Sequence, residues 1–107
     1  MIVDYLIDIT IRRGICLEKC NYPWGHCKHI YVKLLNYVKK HGRKIDWHVD
    51  RFGTSCTYTV KIGNKEALVD HIVVKDGNMA YCELYISFTD EELDCRDAVE
   101  LVEEIAS

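Results

Sequence analysis

Residues 2–12 alternate between apolar and polar. Val3, Tyr5, Ile7, Ile9 and Ile11 fall on one side, and Asp4, Asp8, Thr10 and Arg12 on the other, where Leu6 joins them. A period of two marks a strand with one buried face. From 24 to 41 the period changes. Cys27, Ile30, Tyr31, Leu34, Leu35 and Val38 recur at helical spacing, Pro23 suits a first turn, and Gly42 stands just past the last one. Period two then returns. Ile45, Trp47 and Val49 alternate with Asp46, His48 and Asp50, and Cys56, Tyr58, Val60 and Ile62 alternate with Thr57, Thr59 and Lys61. A turn at Phe52-Gly53 sets Val49 opposite Cys56 and Trp47 opposite Tyr58, which places Trp47 in the core.

Gly63-Asn64 marks the next turn, and residues 67–75 and 78–88 read as a further hairpin around Asp76-Gly77. Two registers are open to it. A turn with a bulge buries Ile72 and Val74 beside Ala80, Cys82, Leu84, Ile86 and Phe88. A two-residue turn buries His71 and Val73 instead. The first is preferred because it keeps a histidine out of the core. Thr89-Asp-Glu-Glu92 has the form of a capping box, and the helix it opens runs to about 105 with Cys95, Ala98, Leu101, Val102 and Ile105 as its apolar stripe.

The order is β-α-β-β-β-β-α. One apolar sheet face and two amphipathic helices predict a single α+β domain over 1–107. The expected architecture is a two-layer sandwich, a mainly antiparallel five-stranded sheet with both helices on one face. This order is similar to that of the TATA-binding-protein-like and helix-grip folds. The similarity is one of topology and implies no activity.

Composition narrows the setting. The chain begins without a basic, apolar leader, and no apolar run approaches the roughly 20 residues that cross a bilayer, so a cytoplasmic protein is expected. It has no glutamine and one proline and is rich in Lys, Glu, Ile and Val, a pattern of hyperthermophiles. That points to a thermophilic, archaeal or viral source, with the host cytoplasm as the address of a viral protein, and there intracellular disulfides are tolerated. The net charge of −3 disfavours nucleic acid as a partner. The one basic cluster, Lys39-Lys40-His41-Gly42-Arg43-Lys44, sits where cations complement a helix C-terminus.

Two groups of residues carry candidate chemistry. The first is Cys16–His29, which holds Cys16, Cys20, Cys27, His26 and His29. Cys16, Cys20 and Cys27 are disulfide candidates, with Cys20–Cys27 and Cys16–Cys27 both open. The alternative is a structural zinc held by Cys16, Cys20, Cys27 and His29 (or His26), although C-x3-C-x6-C is not a usual zinc spacing. Cys27, near a helix N-terminus, is also a candidate nucleophile. Cys56, Cys82 and Cys95 read as small buried hydrophobes.

The second group is the polar side of the sheet, with Asp4, Asp8, Asp46, His48, Asp50, Tyr81, Glu83 and Tyr85, and His71 in the preferred register. Tyrosines among acids suit a protein interface, and a negative field steers basic partners. The expectation is a small non-catalytic interaction or inhibitor-like domain, without a cofactor, that uses this face for a protein partner or for a second copy of itself. The alternative is a metal-dependent hydrolase that draws on Asp46, His48 and Asp50 with Asp4 or Asp8, because carboxylates suit Mg²⁺ or Mn²⁺.

Overall fold

The computed structural model describes residues 2–20 and 25–107. Pro23 and Trp24, and the side chain of His26, lie outside the described residues. The elements are β1 (Ile2–Ile11), β2 (Gly14–Lys19), α1 (Gly25–His41), β3 (Arg43–Asp50), β4 (Gly53–Ile62), β5 (Lys65–Asp76), β6 (Met79–Phe88) and α2 (Cys95–Ala106). The strands form one sheet in the order β2-β1-β6-β5-β4-β3. The fold is α+β as expected, with six strands in place of five, and the sheet is mixed because β1 runs parallel to β6. The added strand, β2, is the first part of the cysteine segment. It folds back on β1 through a tight turn that ends at Gly14, whose φ is +136°.

Both helices cover the same side of the sheet. Ile7 and Ile9 of β1, Val69 of β5 and Leu84 and Ile86 of β6 point toward them and are almost fully buried. Tyr31, Leu34 and Val38 of α1 and Ala98 and Val102 of α2 complete the core. Each such aliphatic side chain contributes about 1.5–3 kcal/mol relative to an exposed one, so this layer carries the fold.

The α1 helix follows its periodicity closely. Gly42 ends it without a left-handed backbone. A Cβ there would lie 2.6 Å from the Val38 carbonyl oxygen, whose hydrogen bond from the Gly42 N–H closes the helix.

Three local expectations are corrected. In the β3–β4 hairpin Trp47 opposes Cys56 and Val49 opposes Thr54, a shift of two residues along β4. The Asp50 carboxylate accepts hydrogen bonds from the Phe52 and Gly53 N–H groups, which fixes the turn at 51–52. A shift of two keeps every side chain on its face. Trp47 is nonetheless 63% exposed, not core, because the helices do not extend over the β3 edge.

The β5–β6 hairpin takes the register with His71 on the helix side. Asp76 opposes Met79 across a two-residue turn, with Gly77 at φ +59° as such turns require. His71 is accommodated because its Nε2 hydrogen-bonds the Tyr31 hydroxyl. Burial then holds its pKa below the ordinary histidine value, with Lys39 adding to the effect.

The final helix does not begin at Thr89. Asp94 is its N-cap and accepts from the Asp97 N–H at 2.8 Å. The expected capping box of Thr89 and Glu92 does not form the cap, and the segment before Asp94 is held to β5. Asp90 pairs with Lys65 at 2.6 Å, and Thr89 donates to the Glu66 carbonyl.

The cysteines also differ from expectation. Cys16 is bonded to Cys95, with Cα atoms 5.0 Å apart. Cys16 is the extra residue of a bulge, since Ile9 opposes Leu17 while Thr10 opposes Ile15, and the bulge brings it to the start of α2. The bond closes a loop of 79 residues and contributes about 2–4 kcal/mol by restricting the unfolded chain. Cys20, Cys27, Cys56 and Cys82 are free thiols.

Candidate functional site

The sheet face away from the helices carries every residue of the predicted polar group except His71. Asp4, Asp8, Tyr81, Glu83 and Tyr85 share it with Asp46, His48 and Asp50 because all occupy the outward phase of their strands. Strand order changes their relations, however. Asp8 and Asp46 stand in the same transverse row, but β6, β5 and β4 lie between them. At about 4.8 Å per strand they are roughly 19 Å apart. The structure therefore does not bring Asp46, His48 and Asp50 together with Asp4 or Asp8.

The pairing registers place residues in rows across this face. One row runs Glu18, Asp8, Tyr85, Asp70, Thr57, Asp46 over all six strands. A second runs Leu6, Glu83, Ile72, Ser55, His48, and a third runs Asp4, Tyr81, Val74, Gly53, Asp50. The half of the face nearest β1 thus gathers Asp4, Asp8, Glu18, Asp70 and Glu83 around two tyrosines. None of these five carboxylates takes part in an ion pair among the described residues. Glu18 and Asp70 were not legible as members. Glu18 lay in the segment read as a cysteine loop, and Asp70 belonged to the buried face of the register the sequence favoured. The repeated Gly-Asn dipeptide at 63–64 and 77–78 was the available signal, since both form the same two-residue turn.

Local electrostatics reflect the crowding of negative charge. Asp8 is 8% exposed, and its carboxyl pKa is raised, first by burial and then by Glu18 across the strand pair. The Tyr85 hydroxyl donates to Glu83, and its pKa is raised by burial, by that bond and by the charges of Asp8 and Glu18. Thr57 donates to Asp70 at 2.7 Å. At the far edge Asp50, next to His48 at 3.4 Å, is held below the usual carboxylate range by the backbone N–H groups of its turn. Asp46 accepts from the Trp47 N–H.

The face has shallow depressions and no deep cleft among the described residues. One, of about 170 Å³, is lined by Asp4, Leu6, Glu18, Tyr81 and Glu83. Another, of about 190 Å³, lies by His48, Asp50 and Ile72. A larger apolar cavity of about 310 Å³ opens on the helix side between Ile7, Ile9, Leu17, Leu34 and Val102, with Lys19 and His29 at its edge.

The zinc alternative loses a ligand, because the Cys16 sulfur is bonded to Cys95. Among the described residues no three His, Cys, Asp or Glu side chains are placed to hold a metal ion. Cys27, the candidate nucleophile, is buried in the core cluster, as is Cys20. No described helix is long and apolar enough to cross a membrane. Compared with protein-family models, curated proteins and solved structures, the chain matches none.

Asp8 gives a direct check on this electrostatic picture. Its folded pKa lies above its unfolded value of about 3.9, so the fold prefers the protonated form and loses stability as pH rises through the folded pKa. Asp8→Asn is expected to raise the unfolding free energy at neutral pH by about 0.5–1 kcal/mol, the scale of a like-charge cross-strand pair. Below pH of about 3.5 the difference should vanish. Urea denaturation at both pH values measures it, and a loss of stability in the variant at neutral pH would show that the Asp8 charge is compensated.

Proposed function

We propose that this protein is a non-catalytic, inhibitor-like interaction module that docks a basic protein surface on the outer face of β2, β1, β6 and β5. The observation that carries the reading is the row Glu18, Asp8, Tyr85, Asp70. It lies on a sheet face that no helix covers, and it has no paired cation among the described residues.

The surface has the make-up of an interface. Tyr81 and Tyr85 offer rigid amphipathic area, Leu6, Ile72 and Val74 lie beside them, and the carboxylates steer a cationic partner. Its depressions are smaller than the 300 Å³ or more typical of small-molecule pockets, which favours a macromolecular partner. Asp8 sits there at a cost to stability, as residues kept for binding commonly do.

The test is a titration of the ¹⁵N-labelled protein with a panel of Lys- and Arg-rich peptides. Shifts should concentrate on β1, β6 and β5, affinity should fall with added salt, and combining Asp8→Asn, Glu18→Gln and Asp70→Asn should weaken binding about tenfold or more. Binding that the triple variant leaves unchanged, or shifts confined to the helix side, would remove the proposal.

A second reading, self-association, is favoured by a different surface. Ile45, Trp47, Val49 and Phe52 are each about half exposed or more, and all four lie in the β3–β4 hairpin. Light scattering across the micromolar to millimolar range should then show a dimer that Trp47→Lys converts to monomer. A parent chain that stays monomeric throughout contradicts it.

A further inference from the structure

Four of the six cysteines lie on or next to β2 and at the starts of the two helices. Cys16 lies in β2 and Cys95 begins α2, and these two are bonded. Cys20 directly follows β2, and Cys27 lies in the first turn of α1. Both are free thiols, 9% and 6% exposed, and both belong to the same core cluster. The two thiols, seven positions apart in sequence, are close enough for Cys27 to help raise the Cys20 pKa, after burial. Cys20 holds a left-handed backbone, φ 64°, which a residue with a side chain seldom adopts. That turn ends β2 and keeps the Cys20 side chain in the core beside α1.

We propose that Cys20 and Cys27 are the site of a second disulfide, formed when the folded protein meets a disulfide-bearing oxidant. The chemistry is thiol–disulfide exchange with a small disulfide such as oxidised glutathione. One cysteine thiolate attacks a sulfur of the oxidant, forms a mixed disulfide and releases one glutathione thiolate. The second cysteine attacks the protein-side sulfur, closes the Cys20–Cys27 bond and releases the other glutathione. The two thiol protons go to the glutathione thiolates, so the protein loses two hydrogens and the oxidant gains them.

The Cys16–Cys95 bond makes the same outcome coherent here. Conditions that oxidise Cys16 and Cys95 also act on the other thiols of the folded protein. The architecture gives the second bond a distinct role. Among the described residues β2 is an edge strand, hydrogen-bonded to β1 alone. The existing disulfide ties it to α2, and the new one would tie its end to α1. Burial and the contact with Cys27 push the Cys20 pKa up to about 12, which makes the exchange slow at neutral pH and faster in mildly alkaline buffer.

The full-length protein can be incubated with oxidised glutathione, denatured and alkylated without reductant, and then analysed by intact mass and non-reducing peptide mapping. The expected product carries two alkylated thiols, Cys56 and Cys82, and a cross-linked peptide that joins Cys20 to Cys27. Cys20→Ser should leave Cys16–Cys95 intact and make Cys27 alkylatable. Four alkylated cysteines after prolonged oxidation, glutathione retained on Cys20 or Cys27, or either residue bonded to Cys56 or Cys82 would each overturn the assignment.

Discussion

The parallel pairing of β1 with β6 is the contact on which the rest of the structure depends. It joins the first and last strands of the chain over nine registered positions, Ile2 with Met79 through Thr10 with Ser87. Ile7, Ile9, Leu84 and Ile86 are almost fully buried along this seam beneath the helices. The pairing turns β1 from a potential edge into an interior strand, with β2 on its other side. It also decides the chemistry of the opposite face. Asp8 falls beside Tyr85 and Asp4 beside Tyr81 only because β1 lies against β6.

Much of this organisation is legible in the chain, and the failures are local. Clean alternation located β1, β3, β4 and β6, and helical spacing located α1 within a residue of its observed start. The sheet was expected to be oily below and acidic above, and its burial pattern and outward rows have that arrangement. The parallel β1–β6 contact was not legible, because a period of two states which face a side chain takes but not which strand lies alongside. The β5–β6 register was misread because a buried histidine was treated as a penalty, whereas His71 meets Tyr31 and is satisfied. The capping box at Thr89 was a genuine local pattern, but the Thr89 hydroxyl is engaged by the Glu66 carbonyl and Asp94 caps the helix instead. Trp47 was assigned to the core because its strand phase is right, but phase carries no information on how far a helix layer extends.

The two edges of the sheet are managed differently. β2 is short, bulged and covalently tied to α2. β3 is longer and exposed along its whole length, yet its pairing is interrupted at Ile45, and the Asp46 carboxylate occupies the Trp47 N–H. A bulge and a side chain that intercepts a backbone donor both blunt an edge against strand addition. Contacts made by β3 therefore rest on its side chains. The acidic half of the outer face lies toward the other edge, over β1 and β6, where β6 is paired on both sides and β1 is paired with β2 over Ile7–Ile11. In the proposed docking, the uncompensated charge of this face is what would select a cationic partner.

The central claim is that the carboxylates of this platform lack counter-charges within the fold. It is tested most directly by following the side-chain carboxyl ¹³C resonance of Asp8 as a function of pH in the isolated protein. Burial, and then Glu18, should set the midpoint above the ordinary aspartate value of about 3.9, with only the Glu18 contribution weakening as salt is added. A midpoint at or below that value would mean that a cation within the fold already neutralises Asp8, and the acidic platform would then not be free to receive a partner.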